Sequence, residues 1–293
     1  MSNEFQIFTI APDSRDASEP LGSKPKFWVY REDGLWLFKF ARENTGEDWA
    51  EKVAAEIARA LALDAPRVEL AQFQGKYGCI CKSFIDREIG ESLIHGNEVL
   101  SGHMHGYDKE KIHRQSSHTI QNILGALSFV LTAEGEKTIA FGRLADYLIF
   151  DALIGNTDRH HENWGLKYDP QSGLRIAPTF DHASSLGREL TDERRHTLLR
   201  TKAIEKYLDS GHGGIYANES DRRGVAPLKL ALDTILTYPN YFSGWAHRLE
   251  GLQRPEIESI IAKVPNCRAS EVAKQFAIAS VERSRERLLE VLK

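Results

Sequence analysis

The chain has 293 residues, 41% hydrophobic and 27% charged, the balance of a globular domain rather than a disordered or fibrous one. That length affords a sizeable core in one large domain or two lobes. The formal net charge of −4 gives no globally basic surface and no apolar run approaches a membrane span, so neither direct nucleic-acid binding nor a membrane span is expected.

Residues 1–20 are mixed and polar, without a basic n-region or a long apolar run, and read as a flexible N-terminal segment. L-G-S-K-P-K-F-W-V-Y (21–30) is a turn followed by an aromatic, β-branched run. R-E-D-G (31–34) is a turn, and Leu35–Phe40 is a second run, so 21–40 reads as a β-hairpin entered through Gly22-Ser23. Residues 47–63 are rich in helix formers, with Trp49, Val53, Ile57, Ala60 and Leu61 as the buried stripe. Residues 68–73 and 78–85 read as two more strands. Cys79 and Cys81 share one face of the second, where packing is a simpler role than ligation. With Cys267 they make three cysteines, too few and odd in number for a disulfide framework, which suits a reducing, cytoplasmic setting.

The first 86 residues therefore read as a β-β-α-β-β unit. Beyond them, 90–118 is loop-rich. Helices are expected over 119–132, 141–155, 192–208, 226–238, 255–263 and 269–292, the last capped at Ser270. The expected fold class is α+β: a flexible segment (1–20), a small antiparallel β lobe with one helix (21–86), and a larger mainly α lobe (87–293).

The chemistry concentrates in G-N-T-D-R-H-H-E-N-W-G (155–165) and A-P-T-F-D-H (177–182). Asp158 and Asn163 stand five apart, directly behind the apolar run 147–154, and Asp181 follows in a separate turn. Phosphoryl transfer needs a carboxylate near the attacking hydroxyl and hard oxygen ligands for Mg²⁺. Asp158 suits the first task, and Asn163 and Asp181 the second. Upstream, the Gly22-Ser23 turn offers backbone N–H groups to phosphates. Lys39 lies in a strand between Phe38 and Phe40, and the next helix offers Glu51 or Glu56 as its partner. The order of glycine turn, strand lysine, helix glutamate, Asp/Asn pair and metal aspartate is that of a two-lobed protein-kinase-like fold.

The residues carry a family resemblance. L-G-S-K-P-K-F (21–27), W-L-F-K-F (36–40), the helix from Glu51 through A-R-A-L-A-L-D-A-P, C-K-S-F-I-D (81–86), G-N-T-D-R-H-H-E-N and I-A-P-T-F-D-H-A-S-S-L (176–186) resemble the HipA-like bacterial serine/threonine kinases. G-N-T-D-R also resembles the loop of type II phosphatidylinositol 4-kinases. The resemblance implies ATP and Mg²⁺ as cofactors, Asp158 as catalytic base and His160 as a positioning histidine. It implies Asn163 and Asp181 as metal ligands and Lys39, paired with Glu51, on the nucleotide phosphates. Gly22, Ser23 and Lys26 would form the turn over those phosphates, and Phe84-Ile85-Asp86 a hinge whose backbone meets adenine. It further implies a protein substrate and, for a toxin of a toxin–antitoxin pair, an antitoxin protein as partner.

The sequence departs from the family at K-P-K, where members carry Q-P-K, and at Glu19, where some carry an autophosphorylated serine. With residues 1–20 alone before the turn, it resembles the short, core-kinase members. Other readings of the same residues are a lipid or small-molecule kinase, a metal-dependent phosphohydrolase, and a catalytically silent kinase-fold binding protein. A phosphohydrolase would show G-N-H-[DE] and an early D-x-H, where this chain has G-N-T-D and no D-x-H before it. Arg159, His161 and Glu162 are expected to stay out of the chemistry, with His161 exposed.

Overall fold

The computed structural model describes residues 4–18 and 25–293. Its first part is a six-stranded sheet of β1 (Ile7–Ile10), β2 (Arg15–Ser18), β3 (Lys26–Arg31), β4 (Gly34–Phe40), β5 (Val68–Phe73) and β6 (Lys76–Lys82), in the order β1-β5-β6-β4-β3-β2. Alternation along β4 sends Trp36 and Phe38 to one face, where they pack with Phe27, Val29, Phe73 and Ile80. It sends Leu37 and Lys39 to the other, opposite Cys81 and Cys79. Both thiols are buried, and they pack with Val68 against Ala55.

Residues 7–18, expected to be flexible, supply two strands. β1 lies parallel to β5, from Ile7 opposite Leu70 to Ile10 opposite Phe73, and β2 lies antiparallel to β3. The sheet is thus antiparallel except at its β1 edge. The cause is the apolar spacing of F-Q-I-F-T-I: Phe5 and Ile7 pack on the main core, while Ile10 is buried against the second cluster. The Phe5 N–H also donates to Lys263 O at 2.7 Å, which ties this segment to the helical part.

Helix α1 (Glu47–Ala60) lies on the Lys39 face of the sheet and is buried on nearly every side. Trp49, Val53 and Ile57 are in the core as expected. Ala60 is exposed, and Ala50, Ala54 and Ala58 fill the stripe. Four charged residues of α1 are also buried, which is stable only when each finds a partner. Each finds a different one: Glu47 pairs with Arg188, Asp48 with Arg268, Glu51 with Lys39, and Lys52 with Glu69 and Glu56. These pairs fix the pose of α1 against both the sheet and the helical part.

The helical part contains β7 (Ser92–His95), α2 (Gly96–His103), α3 (Ile120–Val130), α4 (Glu134–Ile154), β8 (Gly165–Asp169), β9 (Gly173–Ile176), α5 (Asp192–Arg200), α6 (Ile204–Ser210), α7 (Pro227–Thr237), α8 (Trp245–Gly251), α9 (Arg254–Ala262) and α10 (Glu271–Leu292). Within the expected loop 90–118, β7 and α2 are regular. Helix α4 starts at Glu134 rather than 141, and the expected helix 192–208 is two, α5 and α6, broken where Lys202 takes φ +53°. Ser270 caps α10 as expected, its hydroxyl accepting from the Ala273 N–H. Helix α4 is the axis of this part, packed by α7 and α10, with Phe150 and Leu153 fully buried. At its end Gly155 turns left-handed, φ +67°, and releases the chain into the loop before β8. The small antiparallel sheet β7-β8-β9 holds that loop on one side and the loop after β9 on the other.

Candidate active site

The two loops face the Lys39 side of the sheet across a cleft lined by Lys26, Lys39, Arg42, Cys79, Asp158, His160, Asp181 and Ser184, among others. The α4–β8 loop is shaped by its own polar side chains. The Asn156 amide donates to Asp151 Oδ1 at 2.8 Å, and Asn156 Oδ1 accepts from the Asp158 N–H at 3.2 Å. The Asn163 amide donates to Asp158 O at 2.7 Å and so closes the loop into a ring that holds Asp158 and Asn163 side by side. His160 stands at the cleft wall with Nδ1 accepting from the Glu162 N–H at 3.2 Å. Burial lowers its pKa against the pull of Asp158, Asp181 and Glu162, so the neutral ring carries its proton on Nε2.

Asp181 sits after β9 in a left-handed conformation, φ +61°, a strained setting that aspartate tolerates better than most residues. Its Oδ1 accepts from Lys39 Nζ at 2.8 Å. On the other side, Glu51 Oε2 is 3.7 Å from the same Nζ, and Glu51 Oε1 accepts from the His182 N–H at 3.1 Å. Glu51 thus binds the strand lysine and the Asp181 loop at once. Burial opposes charge on Lys39, but Asp181 and Glu51 outweigh it and hold the ammonium well above its ordinary range. Glu56, the other candidate partner for Lys39, pairs with Lys52 instead.

The expected site residues do not all gather here. Gly22 and Ser23 lie outside the described residues. Phe84 and Asp86 are not among the cleft-lining side chains; Phe84 packs on Phe180, with ring centroids 5.5 Å apart, and Asp86 is exposed and accepts from the Glu88 N–H. The backbone around them is engaged internally. Ser83 Oγ accepts from the Ile85 N–H, Glu91 accepts from the Asp86 N–H, and Lys167 Nζ donates to Phe84 O. An adenine that uses the Ile85 N–H, the Asp86 N–H or Phe84 O has to share that group with one of those side chains or displace it.

Two residues next to Asp158 are more deeply built in than the sequence suggested. Arg159 is buried and donates to both oxygens of Asp151, to Thr179 Oγ1, to Phe180 O at 2.9 Å and to Asn163 O. It joins the end of α4 to both loops. His161, expected to be exposed, is buried beneath Tyr107, whose hydroxyl meets its Nδ1 at 2.8 Å; burial pushes its pKa down to about 4. The signal for Arg159 was the lone carboxylate, Asp151, inside an apolar run, since a buried charge calls for a partner nearby. Among the described residues no group of three or more His, Cys, Asp or Glu side chains could hold a metal ion, and no helix is long and apolar enough to cross a membrane.

The loop also has a backstop. A Cβ on Gly214 would stand 2.6 Å from Arg159 O and 2.7 Å from His160 N, so the 211–226 segment reaches this backbone only with glycine there. Gly214→Ala is expected to cost about 1–3 kcal/mol as an overpacking change. A thermal melt should show the loss; a wild-type melting curve would contradict the close approach.

A small sheet with a lysine paired to a helix glutamate, set over a helical lobe with an Asp/Asn loop and a following aspartate, defines a two-lobed protein-kinase-like fold. The sequence model of the HipA-like C-terminal domain matches residues 19–270, and the chain belongs to that family. It is 27% identical over 178 residues to the serine/threonine-protein kinase CtkA of Helicobacter pylori, covering 57% of this chain and 51% of that protein, so the match spans about half of the relative's length. The crystal structure of the H. pylori proinflammatory kinase CtkA superposes with a TM-score of 0.76 at 19% identity, covering 94% of each chain. HipA, in a complex of the Shewanella oneidensis MR-1 toxin–antitoxin system with HipB and operator DNA, gives 0.58 at 16% identity over 96% of this chain and 68% of that one.

Proposed function

We propose that the chain is a Mg²⁺- and ATP-dependent protein kinase that transfers the γ-phosphoryl group to a serine or threonine hydroxyl. The observation that carries the proposal is Lys39, held between Glu51 and Asp181 in the cleft that Asp158 also lines. Lys39 and Lys26 supply the cationic wall for the ATP phosphates. Asp158, fixed through Asn156 and Asn163, accepts the proton of the acceptor hydroxyl or orients it, and neutral His160 lies beside it as a donor. Magnesium suits the remaining pair. The carboxylate of Asp181 is partly open to solvent, and the Asn163 amide nitrogen is committed to Asp158 O, so its oxygen is the atom left to meet a cation. Two oxygen donors with phosphate and water in the other positions are what Mg²⁺ ordinarily takes. The ion supplies charge neutralisation on the phosphates when bound.

The finer assignments rest on the relatives. A serine/threonine protein substrate is inferred from CtkA, and a toxin role with an antitoxin partner from HipA. Three free thiols, two of them buried, fit the reducing cytoplasm. The test is incubation of the purified chain with labelled ATP and Mg²⁺, with and without EDTA, followed by scoring label on the chain itself and on added protein. Lys39→Met should weaken nucleotide binding and reduce transfer by at least about ten-fold, the scale of a lost charged contact. Transfer that survives both EDTA and Lys39→Met would sink the reading.

A further inference from the structure

The segment just after Asp181 holds Ser184 and Arg188, polar residues that the phosphoryl-transfer reading leaves without a role. Ser184 lines the cleft and is almost buried. It meets the Asp158 loop twice: its backbone oxygen accepts from the Thr157 N–H at 3.1 Å, and its hydroxyl faces Asp158 Oδ2 at 3.4 Å. The same hydroxyl accepts from Arg188 Nη2 at 3.0 Å. A hydroxyl whose lone pair is engaged by a guanidinium directs its proton elsewhere, and the Asp158 carboxylate is the acceptor in reach. Arg188 in turn donates through Nη1 to Glu47 Oε1 at 2.5 Å, and its backbone oxygen accepts from the Gly46 N–H at 2.9 Å. Glu47 is buried at the start of α1, with its other oxygen accepting from the Arg42 N–H at 3.0 Å.

We propose that Ser184 and Arg188 are positioning residues forming a relay, Glu47–Arg188–Ser184–Asp158, that orients the Asp158 carboxylate and makes its orientation depend on the pose of α1. The inference rests on Asp158 being the working carboxylate. Three features favour a relay over ordinary packing. Each member meets the next through side-chain atoms, at 2.5 Å and 3.0 Å for the first two links and a longer 3.4 Å at Asp158, and the series crosses from the α1 lobe to the Asp158 loop. The main chain of the positive member is also tied at both ends, its N–H to Ser185 O at 3.1 Å and its carbonyl to the Gly46 N–H at 2.9 Å, so the guanidinium projects from a fixed point between α1 and the Ser184 turn. Glu51 and Lys39 lie on a separate path from α1, to Asp181. Helix α1 therefore reaches both aspartates, Asp181 through Lys39 and Asp158 through Arg188, and a displacement of its first turn would disturb Asp158 first.

The experiment measures ADP formed from Mg²⁺-ATP by the full chain, with the phosphoryl group passing to serine and threonine hydroxyls of added dephosphorylated casein, over a range of ATP concentrations, with a mant-labelled ADP binding curve for every variant. Ser184→Ala should lower kcat by about ten-fold, the low end for a hydrogen bond to a charged group, and leave KM and mant-ADP affinity within about two-fold. Ser184→Thr keeps the hydroxyl and should recover most of kcat. Arg188→Met should lower kcat similarly, and the double variant should be no worse than either single one, because residues acting through one chain are not additive. If Arg188→Met fails to bind nucleotide through misfolding, the alanine/threonine pair at 184 decides alone. Wild-type kcat in Ser184→Ala, equal loss in both 184 variants, or a loss confined to KM each overturns the relay. A wild-type chain with no turnover, or turnover that Asp158→Asn leaves intact, overturns the phosphoryl-transfer reading and the relay with it. Loss in Asp158→Asn beside a silent Ser184→Ala removes the relay alone.

Discussion

Asp158→Asn should lower the rate of phosphoryl transfer by about 10²–10⁴-fold, the range of general acid–base catalysis, and leave mant-ADP binding near wild type. The substitution is close to isosteric. The ring around the residue is made by backbone atoms of 158 with Asn156 and Asn163, so the loop keeps its shape when the side chain changes. An amide cannot take the proton of an acceptor hydroxyl, so the loss belongs to kcat. Asp181→Asn should behave differently. It removes the anion that Lys39 meets at 2.8 Å, together with one proposed magnesium ligand, so Mg²⁺-nucleotide affinity should fall along with turnover. Single-turnover rates and nucleotide titrations separate the two patterns. Equal effects of both variants on nucleotide affinity would mean that Asp158 sits on the nucleotide rather than on the acceptor.

The placement of both aspartates at the cleft was legible in the sequence because short-range rules position them. The apolar run before 155 had to be buried, the glycine had to end it, and the polar residues behind it had to lie at its exit. Lys39 was legible for a related reason: strand alternation puts it on the face opposite Phe38 and Phe40, which a helix must cover. What escaped were features set by distant partners. The strand β1 has only four residues and is stabilised by β5, more than fifty residues later, so its local pattern looked like a polar lead-in. The burial of His161 depends on Tyr107 in a segment that reads as loop. Glu47 and Asp48 look like ordinary acidic residues in a first helical turn. Their burial follows from Arg188 and Arg268, both far along the chain. At the expected hinge, C-K-S-F-I-D, the side chains that occupy two of its backbone groups, Glu91 and Lys167, lie outside that segment and so could not be read from it.

The largest stability loss should come from Arg159, a residue expected to play no part in the chemistry. Arg159→Met removes the cation that meets both oxygens of Asp151 and leaves that carboxylate buried near the end of α4, with the Asn156 amide as its remaining side-chain donor. Breaking one side of a buried ion pair costs about 3–5 kcal/mol, which for a chain of this size lowers the melting temperature by on the order of 10 °C. Burial works against the guanidinium's charge, but Asp151 outweighs it and keeps Arg159 ionised across the accessible pH range. Replacing both partners, as in Asp151→Leu with Arg159→Met, removes the unpaired charge and should recover part of the stability. Recovery should stay incomplete, because Arg159 also donates to Thr179 Oγ1, Phe180 O and Asn163 O, and those acceptors lose their partner in either variant. The same bonds hold the Asp158 loop against the Asp181 loop, so the double variant should regain melting temperature without regaining turnover. A single variant melting within about 2 °C of wild type would show that Asp151 finds another partner. Full recovery of turnover in the double variant would show that Arg159 does not register the two loops.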